Sequence, residues 1–175
     1  MKRLLVTGGC GFIGSNFIRL VMKERPGYSV VNLDKLSYSG NPENLRDLAQ
    51  NTRYTFVKGD ICDKKLVAKV MSRVDAVVHF AAETHVDRSI AGADEFLKTN
   101  ILGTASLLEA SRACGIKRFV HMSTDEVYGS LAKGKADEEH RLEPNSPYSA
   151  SKAGGDLLVR SFRVTHKHPA MIIRC

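Results

Sequence analysis

Short apolar runs alternate along the chain with longer stretches of helical spacing. Residues 3–7 (RLLVT) form an apolar run closed by Gly8-Gly9, the pattern of a strand buried on both faces. Apolar positions at Phe12, Ile13, Phe17, Leu20 and Val21 then predict a helix over 11–24, ended by Pro26-Gly27. Residues 29–33 are a second strand with Asp34 at its tip, and 35–41 a loop turning at Ser39-Gly40. Asn41 as N-cap and Pro42 at the first helical position predict a helix to about residue 50. Residues 54–57 read as a third strand, and Asp63 caps a helix running through 71. A fourth strand spans 75–80 and runs into Ala81-Ala82-Glu83. A long helix over 94–114 is interrupted by Gly103 and closed by Gly115. Residues 117–122 form a fifth strand, while 130–146 carry no periodic element. Ser146 or Pro147 opens a helix bearing Tyr148 and Lys152, His168-Pro169 ends it, and 170–174 is a sixth strand.

This alternation predicts one α/β domain over 1–175, a doubly wound parallel sheet with helices on both faces. Two three-strand halves give the Rossmann-like order 3-2-1-4-5-6. At 175 residues the chain is long enough to bury a full core. With 43% hydrophobic and 26% charged residues, its composition is that of a soluble globular protein. No apolar run approaches the ~18 residues of a membrane span. The N-terminus lacks a signal-peptide pattern, so the expected location is the cytoplasm. The formal net charge of +7 suits an anionic ligand, and the scattering of the basic residues argues against nucleic acid. The four cysteines, Cys10, Cys62, Cys114 and Cys175, lie far apart. They make no zinc or disulfide framework, and no metal site is expected.

Two constellations carry chemistry. Gly8, Gly11 and Gly14 give a G-x-x-G-x-x-G spacing between a strand and a helix, with Phe12 and Ile13 inside the turn. Gly8 permits the sharp turn, Gly11 the close approach of a pyrophosphate, and Gly14 close helix–strand packing. Phosphates would sit over the helix N-terminus, where free N–H groups and the positive dipole end favour anions. Asp34 follows at the tip of the second strand, placed to accept from the ribose hydroxyls of NAD and to repel the 2′-phosphate of NADP. Lys35 beside it is a cation that would tolerate such a phosphate. The second constellation begins with Thr124, Asp125 and Glu126, just past the fifth strand. Tyr148 and Lys152 then share one helix face, four residues apart. A phenol near pKa 10 is a poor base, and the Lys152 ammonium together with the positive charge of an oxidised nicotinamide is expected to favour its phenolate. Asp125 as a turn cap and Glu126 as a solvated side chain is the competing structural reading, as a turn-capping loop residue is for Asp60.

The glycine spacing and the distant Tyr148-x-x-x-Lys152 resemble the extended short-chain dehydrogenase/reductase superfamily. That resemblance implies that Asp60 and Ile61 contact adenine. It also implies that Ala81 and Ala82 line the nicotinamide side, with Thr99 or Asn100 near the site. Four blocks are similar to the nucleotide-sugar 4,6-dehydratase family: residues 31–41 (VNLDKLSYSGN), 81–90 (AAETHVDRSI), 123–129 (STDEVYG) and 146–153 (SPYSASKA). The implied reaction is NAD-dependent dehydration of dTDP-glucose, or alternatively UDP-glucose, to the 4-keto-6-deoxy sugar. The implied roles are Thr124 on the C4 hydroxyl, Tyr148 as oxidation base tuned by Lys152, Asp125 as acid and Glu126 as C5 base. His85 and Ser89 are implied toward the substrate, and a homodimer through the long helices. Family members run to roughly twice this length, so the chain is expected to lack their smaller C-terminal substrate domain and to turn over weakly alone. A superfamily epimerase or a non-catalytic NAD-binding module are the remaining alternatives.

Overall fold

The computed structural model describes residues 2–131 and 133–175. Six strands pair in parallel in the order β3-β2-β1-β4-β5-β6. They are β1 (Lys2–Thr7), β2 (Tyr28–Asp34), β3 (Tyr54–Lys58), β4 (Ala76–His79), β5 (Arg118–Ser123) and β6 (Ala170–Arg174). Helices α1 (Phe12–Glu24) and α2 (Lys64–Met71) follow β1 and β3, and α6 (Pro147–His166) precedes β6. The strand alternation divides the core. Leu5, Leu33, Val77 and Phe119 pack with Met71, Leu107 and Val159 on one face. Leu4, Val6 and Val30 pack with Ile18, Met22 and Leu45 on the other. Each such fully buried side chain contributes roughly 1.5–3 kcal/mol over its exposed state.

Three stretches differ from the sequence expectation. The segment after Asn41 is a 3-10 helix, Pro42–Leu48, not an α-helix. Asn41 does cap it, accepting from the Glu43 N–H, but Leu45 leaves helical geometry (φ −126°) with its side chain in the core. The long helix is continuous through Gly103, as α4 (Asp94–Phe96), a π-helical segment Leu97–Gly103 and α5 (Thr104–Ala113). At its widened turn the Thr104 hydroxyl donates to the Asn100 carbonyl (2.7 Å). A Cβ on Gly103 would collide with Ile61, so the glycine serves close packing there, not a break. A short helix α3 (Val86–Ala91), not expected from the pattern, follows β4. Among the described residues no helix is long and apolar enough to cross a membrane.

The strand order reverses between β1 and β4. Open α/β sheets bind ligands at the C-terminal strand ends beside such a switch point.

Candidate active site

A cleft of about 400 Å³ lies at those strand ends. Its first wall is the glycine turn. Gly8 adopts φ +69°, and a Cβ there would come within 2.6–2.7 Å of the Ala81 backbone, so β1 and the loop after β4 meet through this residue. A Cβ on Gly14 would strike the Gly8 carbonyl, whereas one on Gly11 would approach only that carbonyl, at 3.3 Å. Gly11 caps α1 without any side-chain cap, which leaves N–H groups of the first turn for a ligand. Phe12 and Ile13 line the cleft beside this terminus and stay exposed.

Asp34 lines the same cleft, 7% exposed. Its Oδ2 accepts from the Cys10 N–H and its Oδ1 from the Leu36 N–H, both at 2.8 Å. Leu36 sits at φ +60°, an uncommon region for a branched side chain, to deliver that donor. Lys35 turns to Asp60 (3.2 Å) and Glu95 (3.5 Å). Burial alone would lower the Lys35 pKa, but these carboxylates raise it. Asp60 lines the cleft and also accepts from the Cys62 N–H (2.9 Å), so one side chain both borders the cleft and caps a turn. Burial pushes its carboxyl up, and the Cys62 N–H and Lys35 prevail to hold it below the usual range. Ile61 and Thr99 complete this end.

Ala81, Ala82 and Glu83 carry the cleft toward β5. The Asn100 side chain pins them: its Oδ1 accepts from the Glu83 N–H, and its Nδ2 donates to the Glu83 carbonyl and the Ser151 hydroxyl, all at 2.8–2.9 Å. Asn32 does the same for the glycine turn. It is fully buried, accepts from the Gly9 N–H (3.1 Å) and donates to the Tyr54 hydroxyl (2.9 Å). Sequence reasoning passed over Asn32, although an amide inside an apolar strand signals a built-in partner.

The far wall holds Thr124, Tyr148 and Lys152. Ser146 caps α6 in a reciprocal capping box with Ser149, with Pro147 at the first turn, and this fixes where Tyr148 enters. Lys152 is 5% exposed and donates to the Met122 carbonyl (2.6 Å). Desolvation lowers its pKa to about 8, against the opposing pull of Asp156. The Tyr148 phenol lies above its ordinary range. Burial raises its pKa, Glu126 and Asp125 add to the rise, and a hydrogen bond with Thr124 opposes it. The Lys152 ammonium is turned to the Met122 backbone carbonyl.

Thr124 caps the 3-10 turn Asp125–Tyr128, accepting from the Glu126 N–H (3.2 Å) and donating to Asp125 Oδ1 (3.3 Å). Asp125 and Glu126 are exposed on that turn and stand outside the lining of the cleft, directly past Thr124. His85 and Ser89 also lie outside the lining. His85 is the exposed residue before α3. The buried Ser89 hydroxyl is committed: it donates to the Val86 carbonyl (2.6 Å) and accepts from the Tyr148 N–H (3.0 Å), seating the start of α6. Among the described residues no group of three or more His, Cys, Asp or Glu is arranged to hold a metal ion.

A parallel 3-2-1-4-5-6 sheet, a glycine turn under a helix terminus, a carboxylate at the β2 tip and a Tyr/Lys pair across the cleft define a Rossmann domain of the short-chain dehydrogenase/reductase kind. Residues 5–175 match the model of one family within it, GDP-mannose 4,6 dehydratase, and the chain belongs to that family. It is 54% identical to a dTDP-glucose 4,6-dehydratase of Streptomyces niveus, over 99% of this chain and 53% of that protein. It is 51% identical to the low-salt glycan biosynthesis protein Agl12 of Haloferax volcanii, over 98% of this chain and 55% of that protein. Among solved structures, DesIV, the dTDP-glucose 4,6-dehydratase of Streptomyces venezuelae determined with NAD bound, superposes with a TM-score of 0.96 at 51% identity. That match covers 99% of this chain and 55% of the other. The chain thus spans about half the length of the relatives it matches.

Proposed function

We propose that the chain supplies the NAD-binding and proton-transfer part of a dTDP-glucose 4,6-dehydratase. The observation that carries this reading is one cleft lined from the glycine turn and Asp34 at one end to Thr124, Tyr148 and Lys152 at the other. NAD fits the residues present. The pyrophosphate has the uncapped α1 terminus beside Gly11, and Asp34 and Asp60 would hold the adenosine end. A 2′-phosphate would meet the Asp34 carboxylate while Lys35 is engaged by Asp60 and Glu95, which favours NAD over NADP. When bound, NAD supplies the acceptor for a hydride from sugar C4 and the donor that returns it to C6.

The remaining steps belong to this chain. Thr124 holds the C4 oxygen, and the Tyr148 phenolate takes the hydroxyl proton as the C4 carbonyl forms. Burial, Glu126 and Asp125 oppose that phenolate, and the Lys152 ammonium with the positive charge of oxidised NAD would offset them. The new C4 carbonyl acidifies C5–H, and Glu126 removes that proton. Asp125 protonates the departing C6 hydroxyl, which leaves as water. After hydride arrives at C6, Glu126 returns a proton to C5. An epimerase needs only the Tyr/Lys half; the adjacent acid pair past Thr124 favours elimination. His85 remains a residue that would face the substrate from the α3 entrance. Incubating the protein that carries this chain with dTDP-glucose and NAD tests the reading. Alkali-induced absorbance of a 4-keto sugar is expected; saturable NAD binding without product would instead support a non-catalytic NAD-binding module.

A further inference from the structure

Outside the lining of the cleft, a buried polar chain joins helix α6, strand β6 and the turn after β5. Asp156 lies one helical turn after Lys152 on α6, and the two share a face. It is 1% exposed, an expensive place for a carboxylate without partners. Its Oδ2 accepts from Arg174 Nε of β6 (2.8 Å), and Arg174 Nη1 donates onward to the Tyr128 hydroxyl (2.7 Å). Tyr128 closes the turn that begins with Asp125 and Glu126. Asp156 Oδ1 faces the Nε2 of the buried His121 at 3.5 Å, without a hydrogen bond, and neither His121 ring nitrogen has one among the described residues. That ring sits where Gly155 has no side chain; a Cβ there would lie 3.3 Å from Nε2.

We propose that Asp156 is a positioning residue: steered by Arg174, its carboxylate is the buried countercharge that keeps Lys152 protonated, and the same contact locks the Asp125–Tyr128 turn to helix α6. Four positions apart on one buried helix face, the carboxylate and the ammonium are neighbours, and Arg174 fixes the carboxylate's orientation. The groups that bear on Lys152 are His79 from β4, His121 from β5, Asp156 on α6 itself and Cys175 past β6. Desolvation holds both imidazoles neutral, with Lys152 and, for His121, Arg174 adding to the effect. His121 beside Asp156 is therefore a dipole and not half of an ion pair, which leaves Arg174 as the cation that competes with Lys152 for the carboxylate. Asp156 raises the Lys152 pKa against the desolvation that lowers it.

The proposal rests on the Tyr148/Lys152 reading for its catalytic meaning, but its test needs neither NAD nor turnover. Lysine labelled with 13C at Cε lets the Lys152 titration be followed by NMR in this chain. Asp156→Asn is expected to lower the Lys152 midpoint by at least one pH unit, a tenfold change in proton affinity, and Asp156→Glu to restore most of it. Arg174→Gln is expected to move the midpoint upward, since it removes the competing guanidinium. A merely structural Asp156 would leave Lys152 titrating at its original midpoint in folded Asp156→Asn. That result overturns the proposal, as does an unchanged or lowered midpoint in Arg174→Gln. Should Asp156→Asn fail to fold alone, the double variant Asp156→Asn/Arg174→Gln, which removes the buried pair together, is expected to titrate Lys152 lower than Arg174→Gln does, and an equal midpoint overturns the proposal.

Discussion

Replacing Lys152 by Met should stabilise this protein at neutral pH while removing its proton chemistry. The lysine pKa falls from 10.5 to about 8 in the folded state, with desolvation as the leading cause. At 1.36 kcal/mol per pKa unit, holding the ammonium in that site costs about 3 kcal/mol. Met fills a similar volume without charge. It forfeits the charge-assisted bond to the Met122 carbonyl, a loss of about 1.5 kcal/mol, leaving a net gain of about 1.5 kcal/mol. For a chain of this size that is roughly a 3–6 °C rise in Tm. The gain depends on pH. Below about pH 8 the lysine is charged in both states, and the full cost is present. Between about 8 and 10.5 the unfolded chain binds the extra proton, so the native lysine form gains stability as pH rises. Urea unfolding of both forms at pH 7 and pH 10.5 is the assay. Lys152→Met should be more stable at pH 7 and lose that advantage entirely at pH 10.5. A variant less stable at pH 7, or an advantage independent of pH, refutes the reasoning.

Other residues give separate tests. Gly8→Ala should destabilise the chain by more than about 1 kcal/mol, read from thermal melts, because it combines a left-handed φ with collision against the Ala81 backbone. Asp34→Asn should weaken NAD binding at least tenfold by calorimetry, since the amide offers one acceptor where two backbone N–H groups and a ribose compete. In the ligand-free chain the Tyr148 phenol should titrate above 10, and Glu126→Gln should lower that midpoint in an ultraviolet titration. In the protein that carries this chain, Glu126→Gln should block solvent deuterium entry at C5 while sparing oxidation at C4. Equal loss of both steps would remove Glu126 from the role of C5 base.

The sheet was legible because its strands are continuous apolar runs bounded by glycine and acidic residues. Leu5 and Leu33 have to be covered on one face, and Leu4 and Val6 on the other. The glycine turn and Asp34 were legible because their function lies in spacing. What stayed hidden depends on partners distant in sequence. Asn100 meets Glu83 and Ser151, 17 and 51 positions away, and no local pattern encodes that. Ser89 looks like a ligand donor in its block, yet its hydroxyl is consumed by the backbone of Val86 and Tyr148. The expectation that Lys152 tunes Tyr148 took its geometry from the four-residue spacing. Spacing places two residues on one face, but it does not say that the ammonium will reach for Met122 instead. The π-helical segment was missed for a similar reason: Gly103 reads as a helix breaker until Ile61 is seen packed against it.

In the proposed reaction a hydride leaves C4, water leaves across C5–C6, and the same hydride arrives at C6. dTDP-glucose carrying deuterium at C4, converted by the protein that carries this chain and read by NMR of the product, measures this directly. Deuterium in the C6 methyl group of a 4-keto-6-deoxy sugar is the predicted result. Deuterium retained at C4 of an epimerised sugar, or released into free reduced cofactor, would contradict it.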